Sequence, residues 1–328
     1  MSDTNFDFLS VKNNISDQKW LKHWNKVWPH CERWYLSEGH LRRPGYLTCL
    51  SALRSYMPEI EPIFFRLSKV IGGSDIASRF LSLYNPPPYL AGCSQVIWNR
   101  EELFLLRNYD YSDTMFEKTL FYSDWLKPVI GVLDCAWGLL DGINSDGLIA
   151  TLTFGGKKAV GEGFGAPLIV RYLLETSKNV EDAKARIAQI PSHMAYNITL
   201  LDPTGAHTKV YLYPGKRAVF VEDPVSTNHQ ERVDWLEYAE FSRTVERYNL
   251  LKQALLNQQL NSDQLIQLFF RKPLFNVNFE NQFGTLYTAL YKPQQRNLSL
   301  LWQTSSLAQS FDGFNESKIN VSIKDVSE

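Results

Sequence analysis

The sequence has little of what would mark several common function classes. Its four cysteines, Cys31, Cys49, Cys93 and Cys135, form no CxxC pair, which argues against a compact zinc site or a dense disulfide framework and leaves them as free thiols. There is no excess of basic charge: 34 Lys and Arg against 35 Asp and Glu leave a net charge of -1. Without a basic block, no nucleic acid is expected as a partner. No apolar run of about 18 residues offers a membrane span. The opening "MSDTNFDFLSVKNNISDQKW" is polar and acidic where a secretory signal needs a basic start and an apolar stretch, so the chain is read as cytoplasmic. His193, His207 and His229 lack metal-ligand spacing, and "GGKKAVGEGFG" lacks the order of a phosphate-binding loop, so no metal or cofactor is expected.

What is present suits a packed globular chain, with 44% apolar residues and 13% aromatics over 328 positions. Residues 18 to 85 place apolar side chains three and four apart, as helices do, with Ser74 and Asp75 as one helix start. Trp20, Trp24, Trp28 and Trp34 in this region are read as core. "NPPPYLAG" then breaks regular structure, because successive prolines remove donors and disfavour helix before them.

Beyond this boundary "CSQVIW" and "ELFLLRNYDY" read as a hairpin around "NREE", followed by strands "KPVIGVLD" and "GLIATLTF" with "GINSDG" as a turn. "APLIVRYLLETS" and "NVEDAKARIAQI" read as helices, the second capped by Asn179. "YNITLLD", "HTKVYLY" and "RAVFVED" form a meander, a long helix is expected over Val233 to Leu256 and a short one over Ser262 to Phe270, and "GTLYTALYKP" with "LSLLWQT" closes as a hairpin. Segregated blocks of strands and helices point to an α+β fold with largely antiparallel sheets.

The first hairpin carries three groups of chemical interest: Cys93 on one strand, Arg107 and Asp110 on the next. A returning strand can bring them together. The spacing equally fits an inert buried thiol beside an Arg107–Asp110 ion pair at a strand end.

The ordered set "GCSQ" (92–95), "LLRNYDY" (105–111), "DGINSDGLIATL" (141–152), "YNITLLDPTG" (196–205), "STNHQ" (226–230), "TVERYNLL" (244–251) and "GTLYTALYKP" (284–293) resembles the N-terminal-nucleophile (Ntn) hydrolase superfamily. The likeness is to its branch of choloylglycine hydrolases, penicillin V acylases and acyl-CoA:6-aminopenicillanic acid acyltransferases. The resemblance implies a four-layer αββα sandwich over 93–328, preceded by a helical pro-segment over 1–92 that is removed or retained after self-cleavage at Gly92-Cys93. It implies Cys93 as nucleophile, Asp110 as orienter of the freed amine, Arg107 as charge support, Asn228 as amine or oxyanion ligand, and an arginine of "TVERY", Arg247, with Arg243 as rival. Thr153, Asn197 and Asn144 fall where oxyanion or pocket residues are expected, and His229 beside Asn228 as a supporting group.

Such an enzyme needs a free α-amine, which titrates near about 7.7–8.0 and so can act as a base where an amide nitrogen cannot. The implied activity is hydrolysis of a non-peptide linear amide, or acyl transfer, through a thioester on Cys93. The partner is a small-molecule acyl amide; an acyl-CoA donor and a homo-oligomeric state are compatible with it. The alternative is an unprocessed, non-catalytic acyl-ligand binder or scaffold of the same fold.

Overall fold

A computed structural model describes residues 4–324. The chain opens with strand β1 (Thr4–Lys12) and four helices, α1 (Gln18–Tyr35), α2 (Tyr46–Tyr56), α3 (Glu61–Val70) and α4 (Asp75–Leu81). Next come β2 (Gly92–Asn99), β3 (Leu103–Tyr111), β4 (Thr119–Asp124), β5 (Pro128–Asp134), β6 (Gly138–Asn144) and β7 (Ile149–Phe154). Helices α5 (Ala166–Thr176) and α6 (Val180–Ile187) precede β8 (Tyr196–Leu201), β9 (His207–Leu212), β10 (Val219–Val221) and β11 (Val225–Ser226). The rest comprises α7 (Leu236–Ser242), α8 (Thr244–Leu256), α9 (Ser262–Leu268), β12 (Val277–Asn278), β13 (Phe283–Lys292), β14 (Asn297–Leu301), β15 (Ser306–Ser310) and β16 (Ser317–Ile323).

The strands form two sheets. One has nine strands in the order β10-β9-β8-β7-β6-β5-β4-β1-β16; the other runs β11-β2-β3-β13-β14-β15, with β12 paired to β13. Every pairing is antiparallel except β1 with β4. Helix α5 covers the nine-stranded sheet at β6 and β7, β2 faces β7 across the sheet interface, and α8 covers β2 and β11. The result is the expected α-β-β-α layering. Val96, Trp98, Phe104 and Leu106 pack under Leu251, Leu265 and Phe269 to seal the outer layer. No helix among the described residues is long and apolar enough to cross a membrane.

The expected elements recur; β4, β15 and β16 are strands beyond those expected, so the β13–β14 hairpin does not close the chain, and three further differences stand out. The segment before Gly92 is helical from Gln18 to Leu81 but starts with a strand: Phe6, Phe8 and Ser10 alternate inward on β1. That strand lies between β4 and β16, so the C-terminal strand reaches its sheet only through β1. "GIN" of the expected turn is the end of β6, and the turn itself is Ser145 to Leu148. The long helix over 233–256 breaks at Arg243, whose left-handed φ of 51° separates α7 from α8. Asn179 caps α6, accepting the Asp182 amide at 2.9 Å. Of the four tryptophans, Trp20 and Trp24 are buried, and Trp28 and Trp34 pack against the same core while remaining partly accessible.

Candidate active site

The β2–β3 register sets Gly92 opposite Asp110 and Cys93 opposite Tyr109. Side chains alternate across a strand, so Cys93, Arg107 and Tyr109 share the face turned toward the other sheet, whereas Asp110 points away. On the inner face Arg107 donates from Nη2 to Cys93 Sγ at 3.4 Å, and from Nη1 to Asp141 Oδ2 and the Leu140 carbonyl, both at 2.7 Å. Asp141, on β6 of the facing sheet, also accepts the hydroxyls of Tyr287 (2.7 Å) and Tyr291. The strand-end Arg107–Asp110 ion pair that spacing allowed does not form. Three residues apart on a strand, the two side chains face opposite ways, and each finds a different partner.

On the outer face Asp110 accepts the Thr285 hydroxyl at 2.7 Å and pairs with Arg247 at 3.3 Å. Arg247 spans the site: Nη1 donates to the Cys93 carbonyl and to Ser94 Oγ, both at 2.8 Å, and Nη2 to Asn228 Oδ1 at 2.7 Å. Arg243, its rival, is exposed and pairs with Glu246. The short pairing of β11 with β2 brings Asn228 alongside Cys93. Asn228 Oδ1 accepts the Cys93 amide at 2.9 Å, and Nδ2 donates to the carbonyls of Ala91 (3.2 Å) and Phe154 (3.3 Å). The Tyr238 hydroxyl donates to the same Ala91 carbonyl at 2.8 Å.

Two glycines permit this closeness. A Cβ at Gly92 would lie 2.1 Å from the Phe283 ring and 3.0 Å from Asp110 Cβ, so the residue before Cys93 can carry no side chain without displacing the ring. At Gly156, φ is +69° and a Cβ would lie 2.2 Å from the Asn228 carbonyl oxygen, where the glycine-rich loop crosses the Asn228 backbone.

Burial pushes the Cys93 thiol up to about 11, against the pull of Arg107 and with Asp110 adding to the rise. The sulfur is therefore a thiol held beside a guanidinium, a weak nucleophile with a ready counter-charge. Burial also raises the Asp110 carboxyl, opposed first by Arg247 and then by Thr285. All five residues expected at the centre, Cys93, Arg107, Asp110, Asn228 and Arg247, are thus buried in one connected network.

The remaining expected residues are not brought to the sulfur. Asn144 spends its amide on the Leu174 and Ser177 carbonyls and its oxygen on the Asp146 and Leu148 amides, ordering the β6–β7 turn. The Thr153 hydroxyl donates to the Thr227 carbonyl at 3.1 Å, and Asn197 donates to Thr153, Thr227 and His229. Both brace the 227–229 segment that carries Asn228. His229 sits between Thr227 and Thr244, and burial, then Lys209 and Arg247, lower its pKa to about 4. Among the described residues no three His, Cys, Asp or Glu side chains are grouped to hold a metal. Asp141, Tyr287, Tyr291, Thr285, Ser94 and Tyr238 belong to the network without standing out in the sequence. The available signal is an aspartate inside the apolar run "GLLDGI" and a tyrosine pair four apart in "LYTALY".

Residues 98–306 match the family acyl-coenzyme A:6-aminopenicillanic acid acyl-transferase, well over half of the chain; Gly92 and Cys93 lie just before the matched span. No curated protein matches the sequence. Among solved structures, a mutant of conjugated bile acid hydrolase from Clostridium perfringens is similar at 12% identity and a TM-score of 0.49, covering 69% of this chain and 96% of that one. Penicillin V acylase from Agrobacterium tumefaciens is similar at 13% identity and a TM-score of 0.48, covering 69% and 90% respectively.

Proposed function

The chain belongs to the acyl-coenzyme A:6-aminopenicillanic acid acyl-transferase family, and from that premise we propose that it is a cysteine Ntn amidohydrolase or acyltransferase activated by cutting its own Gly92-Cys93 bond. One observation carries the reading. The three functional atoms of Cys93 are each held by a different charged or polar side chain: the thiol by Arg107, the amide by Asn228 and the carbonyl by Arg247.

In self-cleavage Sγ attacks the Gly92 carbonyl carbon, the carbon–sulfur bond forms, the carbon–nitrogen bond breaks and the proton passes to the Cys93 nitrogen. Water then hydrolyses the thioester, leaving a Gly92 carboxylate, a free thiol and an α-amine on Cys93. That amine, facing Asn228 Oδ1 with Asp110 nearby, takes the thiol proton in later turnovers and returns it to the leaving amine of an acyl amide. Local withdrawal of the new Gly92 terminus would take the Ala91 carbonyl from Asn228 Nδ2 and free a buried donor for an oxyanion. Water resolves the acyl-thioester in a hydrolase, an acceptor amine in a transferase.

The segment before the cut stays bound in this reading. β1 is an internal strand of the nine-stranded sheet, and α1 is tied to it through the Trp20 indole, which donates to the Ala136 carbonyl at 3.1 Å. Intact-mass spectrometry tests the proposal: a fragment beginning at Cys93 is expected, absent in Cys93→Ala, with acyl-amide turnover only in cleaved protein. A chain that stays whole and inactive under every condition would overturn it. The buried thiol, pushed up to about 11, favours one second reading, an unprocessed binder of acyl ligands. Selective electrophiles separate the two, since a processed enzyme labels at Cys93 ahead of Cys31, Cys49 and Cys135, and a binder labels all four slowly.

A further inference from the structure

A cavity of about 260 Å³ lies on the Cys93 face of the hairpin, beyond Tyr109, between the end of β3 and helix α1. Tyr111, two residues past Tyr109 on the same face, lines it, with ring centroids 5.9 Å apart. Trp34 of α1 and Tyr89 of the proline-rich connector form aromatic walls and meet edge to face at 5.9 Å. Asp134, at the end of β5, also lines the cavity.

Asp134 is the feature that packing does not explain. The neighbouring Glu117 is satisfied, accepting from His23 at 2.7 Å and from the Ala136 amide at 2.8 Å. Asp134 has hydrogen bonds from Cys135, but the ionic group acting on it is Glu117, an anion; burial first and that charge second push its carboxyl up to about 7. Of the basic side chains lining the cavity, Lys118 lies over the Phe6 ring at 5.2 Å, His30 meets Met115 Sδ at 2.6 Å, and Lys26 is exposed. Among the described residues no cation pairs with this carboxylate, and facing an aromatic-walled space it is a half-built ammonium site.

We propose that this cavity binds a primary ammonium group of the substrate, with Asp134 as counter-ion and the rings of Trp34, Tyr89 and Tyr111 around it. The assignment rests on the amidase or acyltransferase reading and adds the substrate class: acyl amides bearing a cationic group. It also gives the segment before Gly92 a direct role, since α1 supplies one wall.

The binding arm of the test is independent of chemistry. With full-length Cys93→Ala protein, calorimetric titration compares butylammonium with n-butanol; butylammonium is expected to bind about tenfold or more tightly, as a desolvated cation–π site with a counter-ion allows. Asp134→Asn should abolish that preference while leaving the circular dichroism and melting temperature close to those of Cys93→Ala alone. Equal binding of the two probes, or a preference undiminished in Asp134→Asn, overturns the assignment. The turnover arm uses parent protein with ω-aminohexanoyl and heptanoyl para-nitroanilides. Preference for the aminohexanoyl compound supports the pocket, and equal turnover of both overturns it. Turnover of neither counts against amide hydrolysis and leaves the binding result to decide the pocket.

Discussion

The two faces of the β2–β3 hairpin treat Cys93 differently. On the inner face Cys93 Sγ meets Arg107, whose charge is balanced by Asp141, itself held by the Tyr287 and Tyr291 hydroxyls; all these partners are side chains fixed on strands of the two sheets. On the outer face Asn228 and Arg247 hold backbone atoms of the junction itself, the Cys93 amide, the Cys93 carbonyl and the Ala91 carbonyl. In the proposed cleavage no atom of the inner-face contacts belongs to the bond that opens, whereas on the outer face the Cys93 amide held by Asn228 becomes an amine. The inner face thus supplies the direct contact to the sulfur and the outer face the grip on the backbone, with Asp110 and Arg247 acting on the thiol only through their charge.

The largest expected effect is on the inner face. Arg107→Met strands Asp141 with no cation in a fully buried position, and removal of one partner of such a pair costs about 3–5 kcal/mol, read by urea unfolding. Adding Asp141→Leu should recover much of the loss, because the uncompensated charge then disappears with its partner. A loss under about 1 kcal/mol for Arg107→Met would mean the pair behaves like a surface one, and the contrast between faces would fail.

Asn228→Ala probes the outer face and should reverse the pattern. It removes hydrogen bonds worth about 1–2 kcal/mol of stability but slows appearance of the Cys93 fragment by about 100-fold, followed by mass spectrometry over time. Gly92→Ala is milder. The new methyl meets the Phe283 ring, an overpacking cost of about 1–3 kcal/mol that Phe283→Ala should relieve, measured as the difference in urea midpoints.

These contrasts explain which parts of the site are legible in the sequence. The hairpin, its turn and the helix capped by Asn179 declare themselves locally, through alternation, turn residues and a capping side chain. Asn228 and Arg247 come only from the resemblance, because no local pattern tells that a residue 135 positions away accepts the Cys93 amide. Asp141 stays hidden in "GINSDG" and its surroundings: glycine, asparagine and serine there suggest a turn, yet facing strands bury the aspartate under two tyrosines. β1 escapes for a related reason. "TNFDFLSVK" does alternate, but with only Phe6 and Phe8 as large inward apolar groups it is a weak strand alone and depends on pairing with β4 and β16. Arg243 breaks its helix without a glycine or proline to mark the place. In each case long-range pairing decides what local propensity leaves open.

The smallest effect is a titration of the sulfur itself. In the folded, uncut chain the Cys93 thiol is pushed up to about 11 by burial, above the ordinary value of 9.0 that the unfolded chain regains. Between these values the unfolded state has lost the proton that the folded state keeps, so Cys93 makes stability fall as pH rises through that window. The slope is at most about 1.4 kcal/mol per pH unit. Other buried thiols and phenols titrate in the same range, so the informative quantity is the difference between an uncleaved parent chain and Cys93→Ala, measured by urea unfolding at pH 8 and pH 10. The parent should lose about 1 kcal/mol more than the variant over that interval. Iodoacetamide labelling of Cys93 in the folded chain should rise about tenfold per pH unit over the same range, as the thiolate fraction does. Equal pH slopes for the two proteins would mean that the guanidinium of Arg107 offsets burial fully, leaving the sulfur with the ordinary thiol value.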